Sequence, residues 1–530
     1  MYSGIKDPSR YVLVDALAEL AADRPDDVWI TTTDGETLRF GEAADDMQRV
    51  AGYFAGLGVR PGDFVAVMMP SGCDFVRVWL GLGRLGAVAV LLNTELRGAF
   101  LAHQIRSSGV RLMVVDAQWL PELASLRAQL AEPPKLVVTG TASEAAGDDV
   151  VATPWPSWRS AAPWQGRGPA ASDIAAVMYT SGTSGPSKGV LMPHAHCMLY
   201  AIGTIKCLHL AADDIYYISL PLFHANGLLM QLGSTLLAGI PAVIRPRFSA
   251  SAWLSDIRAH RATVTNLLGS MTAFLLAQPE AADDRDHRLR ASLNAPNLPA
   301  HDAAFRGRFG IRDVASGFGM TECNIPIWGR IGEPAPGAAG WVHDDDFEVV
   351  VADPETDTPV PFGELGEILV RPKVPFGFMA GYHGLPEKTV EAWRNLWFHT
   401  GDAGLMRADG QVTFVDRIKD CIRRRGENIS ATEVESVVAG LEGVAEVAAF
   451  AVPASIDGGE DEVMLAIVFE PGSAAGVESV AAQVDALLPR FARPRYLKAV
   501  DELPKTSTGK VQRAVLKSQG TAGAFDRGDR

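Results

Sequence analysis

The sequence predicts an α/β fold: a large multi-layer N-terminal domain with mainly parallel sheets plus a small β-rich subdomain, and a small α+β C-terminal domain. Three observations predict it. Short Val/Leu-rich runs alternate with segments of helical apolar spacing through the first third of the chain. After about residue 340 the pattern gives way to short strands separated by Gly, Pro and Asp turns. A chain of 530 residues is also too long for one core.

In order, FGEAADDMQRVAGYFAGLGV (40–59) has helical spacing, and DFVAVMMP (63–70) reads as a buried strand after a Pro-Gly turn. GCDFVRVWLGLGRLG is helical, whereas AVAVLLN and GVRLMVVD (109–116) are strands. Residues 140–172 are rich in Pro, Ser, Ala and Gly and read as a surface connection, pegged to the body by Trp155, Trp158 and Trp164. DIAAVMYT (173–180) resumes the strand pattern. DFEVVVAD, GELGEILVRP and GQVTFVDR form the β-rich part. From 421 to 517 the order is helix, strand, strand, helix, and residues 518–530 are polar, Gly-rich and expected to be disordered.

A net charge of −15 disfavours nucleic-acid and acidic-membrane partners. Any anionic ligand must then be held by local cationic groups. The five cysteines are dispersed and form no CxxC pair, as in reduced, cytoplasmic proteins. No apolar run approaches the ~20 residues of a membrane span.

The strand 173–180 runs directly into YTSGTSGPSKGV (179–190). Gly182, Gly185 and Gly189 let the backbone approach a ligand closely; Thr180, Ser181, Thr183 and Ser184 offer hydroxyls, and Lys188 a charge. The composition suits an oxyanion at a strand end. It is not a Walker A loop, since Gly189 stands where that motif needs a hydroxyl.

This stretch resembles the phosphate-binding signature of the adenylate-forming superfamily, which includes acyl-CoA synthetases, luciferases and peptide-synthetase adenylation domains. Further segments resemble that family's motifs in the same order: PLFHANG (221–227), GFGMTE (317–322), GELGEI (363–368), WFHTGD (397–402), DRIKDCIRRRGENISATEVE (416–435) and PKTSTGK (504–510). The resemblance spans roughly residues 10–517. RRRGENIS and the tail pattern are similar to the crotonobetaine/carnitine-CoA ligase-like and medium-chain branch.

The resemblance implies an ATP-dependent acid–thiol ligase that forms an acyl-adenylate and passes the acyl group to coenzyme A. Two negatively charged reactants meet in such a reaction, so charge must be neutralised and geometry fixed. The loop 180–188 would wrap the β- and γ-phosphates, and Glu322 with Thr180 would hold Mg2+. Phe318, with Gly319, Met320 and Thr321, would form the adenine wall; many relatives carry tyrosine at the Phe318 position, so a hydroxyl is lost. Asp402 and Arg417 would take the ribose. Lys510 would bridge the carboxylate and the α-phosphate, and His224 would gate the acyl site.

The resemblance also implies a hinge at 418–420, pivoting on Lys419, between an N-terminal domain (1–417) and a mobile C-terminal one (421–517). Where many relatives have two glycines beside the thiol tunnel, this chain has Arg425-Gly426. Arg423 and Arg424 are suggested to meet the CoA phosphates. Asn226, Gln231, Cys323 and Asn324 are expected near the acyl pocket and favour a short or functionalised acid. The implied partner is a small-molecule carboxylic acid, and the assembly is open, a homodimer included. Two alternatives stand beside this reading: an adenylate former serving a carrier protein, and a catalytically silent nucleotide-binding relative.

Overall fold

A computed structural model describes residues 4–140, 154–180, 186–297, 299–333, 335–417, 422–424, 427–429, 431–454, 460–504, 511 and 513–528. Two of its sheets are built mainly from parallel strands. In one, strands 313–315, 291–295, 264–268, 216–218, 242–244, 28–32 and 37–39 lie side by side in that order. In the other the order is 381–382, 188–193, 174–180, 88–91, 64–68, 112–116 and 135–139. The Val-rich runs that read as strands, Phe64–Met68, Val88–Leu91 and Leu112–Asp116, form the middle of this second sheet. Helices cover both its faces, so these strands are apolar on both sides and show little alternation.

The β-rich part forms a third, wholly antiparallel sheet in the order 317–320, 324–328, 340–342, 411–417, 398–406, 365–372 and 347–352. It begins earlier in the chain than the sequence pattern placed it, because Gly317–Met320 is a short, polar-flanked strand without alternation. The connection before residue 173 is pinned as expected. Trp155 Nε1 donates to Asp74 Oδ2 at 3.0 Å, and Trp158 lies between the guanidinium groups of Arg77 and Arg159.

The C-terminal domain is a four-stranded sheet, 444–452, 462–469, 496–499 and 525–526. Successive residues on its strands point to opposite faces. Ala449, Val463, Leu465 and Ile467 pack under the helices Ala431–Ala439 and Val477–Leu487, whereas Phe450, Met464, Ala466 and Tyr496 pack against Leu503, Val511 and Leu516. The two faces therefore belong to two separate apolar clusters. The first continues into the N-terminal domain, where Gly98 abuts the carbonyl of Leu487.

The tail corrects an expectation. Residues 518–528 are described as ordered: Leu497 and Tyr496 pair with Phe525 and Asp526, and Arg527 Nη2 meets Asp485 Oδ1 at 2.5 Å. Backbone pairing and ion pairs hold this edge, and neither needs the apolar residues whose scarcity suggested disorder. No helix among the described residues is long and apolar enough to cross a membrane.

Candidate active site

A cavity of about 1190 Å³ opens where the three N-terminal sheets meet the C-terminal domain. Thr180 and Ser187, on either side of the hydroxyl-rich stretch, line it from a β-hairpin. Strand Ile174–Thr180 pairs antiparallel with Lys188–Pro193, so Thr180 and Lys188 face each other at the loop's base. This strand–loop–strand geometry differs from the strand–loop–helix of a Walker A loop. Ser181, Gly182, Thr183, Ser184 and Gly185 lie outside the described residues. The loop's far end is held at Ser187: its carbonyl meets His103 Nε2 at 2.9 Å, and its N–H donates to Glu433 of the C-terminal domain.

Glu322 sits on a tight reversal between strands 317–320 and 324–328, where Cys323 N–H donates to the Met320 carbonyl and Asn324 takes φ 65°. Gly319 is required beneath this turn, since a Cβ there would lie 2.1 Å from the Asn324 carbonyl oxygen. The buried helix His194–Leu208 supports the turn from below. Tyr200 OH donates to Met320 O, and His196 Nε2 lies 2.9 Å from Thr321 O. Burial holds the His196 imidazole below its ordinary pKa, against the pull of its carbonyl partners. Its Nδ1 lies 3.1 Å from the Gly377 carbonyl, so the ring is held between two backbone acceptors.

Glu322 Oε1 accepts from Thr180 Oγ1 at 3.0 Å and from Tyr382 OH at 3.1 Å. The other oxygen, Oε2, is buried without a partner among the described residues. A buried lone carboxylate oxygen is costly unless something meets it. An oxygen-seeking divalent cation fits that position. Mg2+ keeps most of its ligands as phosphates and water, so one carboxylate and one hydroxyl suffice on the protein side. Lys188 Nζ rests 3.9 Å from the Tyr382 ring centre, completing a Lys–Tyr–Glu–Thr arrangement around the loop. Tyr382 carried no signal in sequence; its place follows from strand 381–382 pairing with 188–193.

Elsewhere on the wall, Phe318 stacks on Phe414, with ring centres 5.9 Å apart at 26°, and both rings line the cavity. Gly319, Met320 and Thr321 line it beside them. Asp402 is buried at the cavity wall and pairs in register with Arg417 across neighbouring strands. The motifs GELGEI and HTGD prove to be one device. Glu367 Oε1 accepts from Gly401 N–H at 2.9 Å, and its Oε2 lies 3.0 Å from His399 Nδ1. Glu367 thus holds the bulge in strand 398–406 beside Asp402.

His224 ends the loop after Pro221, and its side chain reaches the C-terminal domain. Its Nε2 lies 2.8 Å from Oε1 of Glu427, on the hairpin Ile422–Arg424/Glu427–Ile429. Asn93 Nδ2 donates to the same oxygen at 3.1 Å. Burial alone would lower the His224 pKa, but the charge and hydrogen bond of Glu427 outweigh it and raise the group above its ordinary value. Close by, burial pushes the Glu433 carboxyl up to about 7 despite the Ser187 N–H. Neither Glu427 nor Glu433 was singled out from sequence, because their partners lie more than two hundred residues away.

Three expectations are revised. Arg424 does not face solvent toward a CoA phosphate: it is buried, paired with Glu462 at 2.6 Å, and donates to the Phe491 and Arg493 carbonyls. A run of arginines reads as a surface patch only until a strand brings a buried acid to it. Cys323 and Asn324 do not line the cavity; Cys323 is fully buried, and Asn324 Nδ2 donates to His196 O. Gln231 is also fully buried, and only Asn226 of that group lines the cavity. Lys419, Arg425, Gly426 and Lys510 lie outside the described residues, as do the side chains of Arg417 and Arg423.

Fold and site together define an adenylate-forming enzyme, with a nucleotide cleft in the large domain and a small domain closing over it. The AMP-binding enzyme family matches residues 17–383 and the AMP-binding enzyme C-terminal domain matches 433–510; the chain belongs to the AMP-binding enzyme family. It is 29% identical over 515 residues to crotonobetaine/carnitine–CoA ligase of Salmonella paratyphi A, covering 95% of this chain and 98% of the relative. It is 31% identical over 494 residues to long-chain fatty acid transport protein 3 of Mus musculus, covering 87% of this chain and 72% of the mouse protein. Among solved structures, the anthranilate CoA ligase AuaEII in complex with anthranoyl-AMP superposes with TM-score 0.72 at 27% identity, covering 97% of this chain and 98% of that one.

Proposed function

We propose that the protein activates a carboxylic acid with ATP as an acyl-adenylate and transfers the acyl group to coenzyme A, releasing AMP and pyrophosphate. Its relatives' names include CoA ligases, and one similar structure holds an acyl-AMP. The observation that carries the reading is the two-faced C-terminal domain. The hairpin face, with Glu427 and Ile429, lines the cavity. The flanks of the Lys510 loop, Leu503 and Val511, pack on the opposite face of the sheet. A rotation that exchanges these faces lets one cavity serve two successive reactions. The division near 417–421 and the pivot at Lys419 belong to this proposal.

In the adenylation step Asp402 and the Phe318–Phe414 wall orient the nucleotide, and the Thr180–Lys188 hairpin fixes the leaving phosphates. Glu322 and Thr180 would hold Mg2+, which supplies charge neutralisation at the phosphates when bound. Lys510 stabilises charge between carboxylate and α-phosphate. In the transfer step the hairpin carrying Glu427 stands in the cavity against His224, and the thiol of coenzyme A attacks the acyl carbonyl as AMP leaves. The test is CoA-dependent AMP release across a panel of carboxylic acids, with holo-carrier protein as a rival acceptor. AMP release with carrier protein alone would favour an adenylate former serving a carrier; no carboxylate-dependent pyrophosphate exchange with any acid would sink the reading.

A further inference from the structure

Beyond His224 the chain enters a π-helix, Asn226–Leu232. Hydrogen bonding five residues apart brings Gln231 over Asn226, a neighbour an α-helix would turn away; such π-turns gather at functional sites. Gln231 Nε2 donates to Asn226 Oδ1 at 3.1 Å. The same oxygen accepts from Asn266 Nδ2 at 2.8 Å, and Asn266 Oδ1 in turn accepts from Tyr216 OH at 2.5 Å. Tyr216, Asn266 and Gln231 are fully buried.

Burying three polar side chains is costly unless each is used. Here they converge on one group: Asn226 Oδ1 accepts from both Gln231 and Asn266, which leaves Asn226 Nδ2 as the donor this chain does not use, on a residue that lines the cavity. A second observation stands apart from this chain. Ser219, at the end of strand Tyr216–Ile218, lines the same cavity, is only 2% exposed, and its Oγ has no hydrogen-bond partner among the described residues. The cavity lining also includes the apolar side chains of Phe223, Met230, Leu268, Met271 and Phe274, with Ser270 between two of them in the chain.

An amide donor whose oxygen is already engaged, with an unpartnered hydroxyl on the same apolar-rich cavity, is matched by an acid that brings an oxygen of its own. We propose that the substrate is a largely apolar carboxylic acid bearing a keto or hydroxyl oxygen on its chain, and that Asn226 Nδ2 donates to that oxygen. Ser219 Oγ is its second partner, and Asn226 is the residue that sets specificity. This inference rests on the acid–thiol ligase reading.

The experiment uses the full-length protein and carboxylate-dependent pyrophosphate exchange with matched pairs, each a plain alkanoate and its hydroxy or oxo derivative, the oxygen moved along the chain. At one position the oxygenated acid is expected to exceed the plain one in kcat/KM by at least about tenfold, the scale of a matched hydrogen bond in a dry pocket. Asn226→Asp keeps the oxygen that Gln231 and Asn266 bond but replaces the NH2 donor; it should shrink that ratio to about twofold or less. Ser219→Ala should reduce it in part. Wild-type ratios within twofold at every position overturn the proposal even if a variant fails to fold, as does an unchanged ratio in Asn226→Asp. Exchange with no acid at all would instead remove the ligase reading beneath it.

Discussion

His224 of the large domain and Glu427 of the small one share a hydrogen bond, Nε2 to Oε1 at 2.8 Å, in the cavity that would hold the acyl group. On the proposed exchange of faces, the contact exists only while the hairpin of the C-terminal domain is docked. Its energetics therefore bear on the balance between the two postures of the enzyme.

That balance is expected to depend on pH. Docking raises the pKa of His224 above its ordinary 6.5, and raises Glu433 from 4.5 to about 7. Both groups hold protons more tightly docked than undocked, so protonation favours docking. The contribution of His224 is complete below its ordinary value and is lost as pH rises through the raised one. For Glu433 it is complete below about pH 4.5 and lost by about pH 7. Single-turnover transfer from preformed acyl-adenylate to CoA, divided by the adenylation rate, should fall as pH rises from about 4.5 to about 7 with Glu433, and fall further above 6.5 as His224 loses its proton. Glu433→Gln should flatten the lower part of the profile and Glu427→Gln the upper part. A ratio independent of pH in the wild type would count against the linkage.

Glu322 Oε1 takes the hydroxyls of Thr180 and Tyr382, and Oε2 is the oxygen proposed to meet Mg2+. Glu322→Gln keeps the shape and the contacts of Oε1 but removes the charge. Pyrophosphate exchange should fall by about two orders of magnitude or more, with a higher Mg2+ requirement. Tyr382→Phe removes only the hydroxyl that orients the carboxylate, and should weaken the apparent Mg2+ affinity roughly tenfold. Equal Mg2+ dependence in wild type and both variants would exclude Glu322 as a ligand.

How far the sequence disclosed this site depended on the range of each interaction. Thr180, Glu322 and Asp402 were singled out because each lies in a short stretch whose glycines and hydroxyls are consecutive in the chain, and the structure brings all three to one cavity. The buried parallel strands were readable because burial on both faces writes an unbroken apolar run. Tyr216 and Asn266 were not: a tyrosine in an apolar strand reads as core, and their hydrogen bond joins residues 50 apart in sequence. Arg424 misled for the same reason, since its acid, Glu462, arrives on another strand. Composition likewise hid the ordered tail, which is held through its backbone.

Gly227 offers a test of local packing. A Cβ there would lie 2.3 Å from the Pro221 carbonyl oxygen and 2.6 Å from that of Leu220. Backbone cannot yield as a flexible side chain can, so Gly227→Ala must displace the turn that carries His224 and the π-helix behind it. A loss of about 1–3 kcal/mol is expected, read as a lowered midpoint in urea. Unchanged stability together with unchanged acid selectivity would show that the turn tolerates the displacement.

Lys510 separates the two half-reactions. Lys510→Ala should slow acyl-adenylate formation by about 10²–10³, some 3–4 kcal/mol, the scale of one lost oxyanion donor. Transfer from supplied acyl-adenylate to CoA should stay within a few-fold of wild type, since the Lys510 flanks Leu503 and Val511 pack on the face turned from the cavity while the hairpin is docked. Glu427→Ala should show the reverse pattern, with transfer impaired and adenylation largely kept, because its partners His224 and Asn93 meet it only in the docked posture. Rapid-quench measurement of the two steps in each variant checks both expectations. If Lys510→Ala and Glu427→Ala slowed both steps equally, the exchange of faces would be wrong, and a single fixed arrangement would have to serve both reactions.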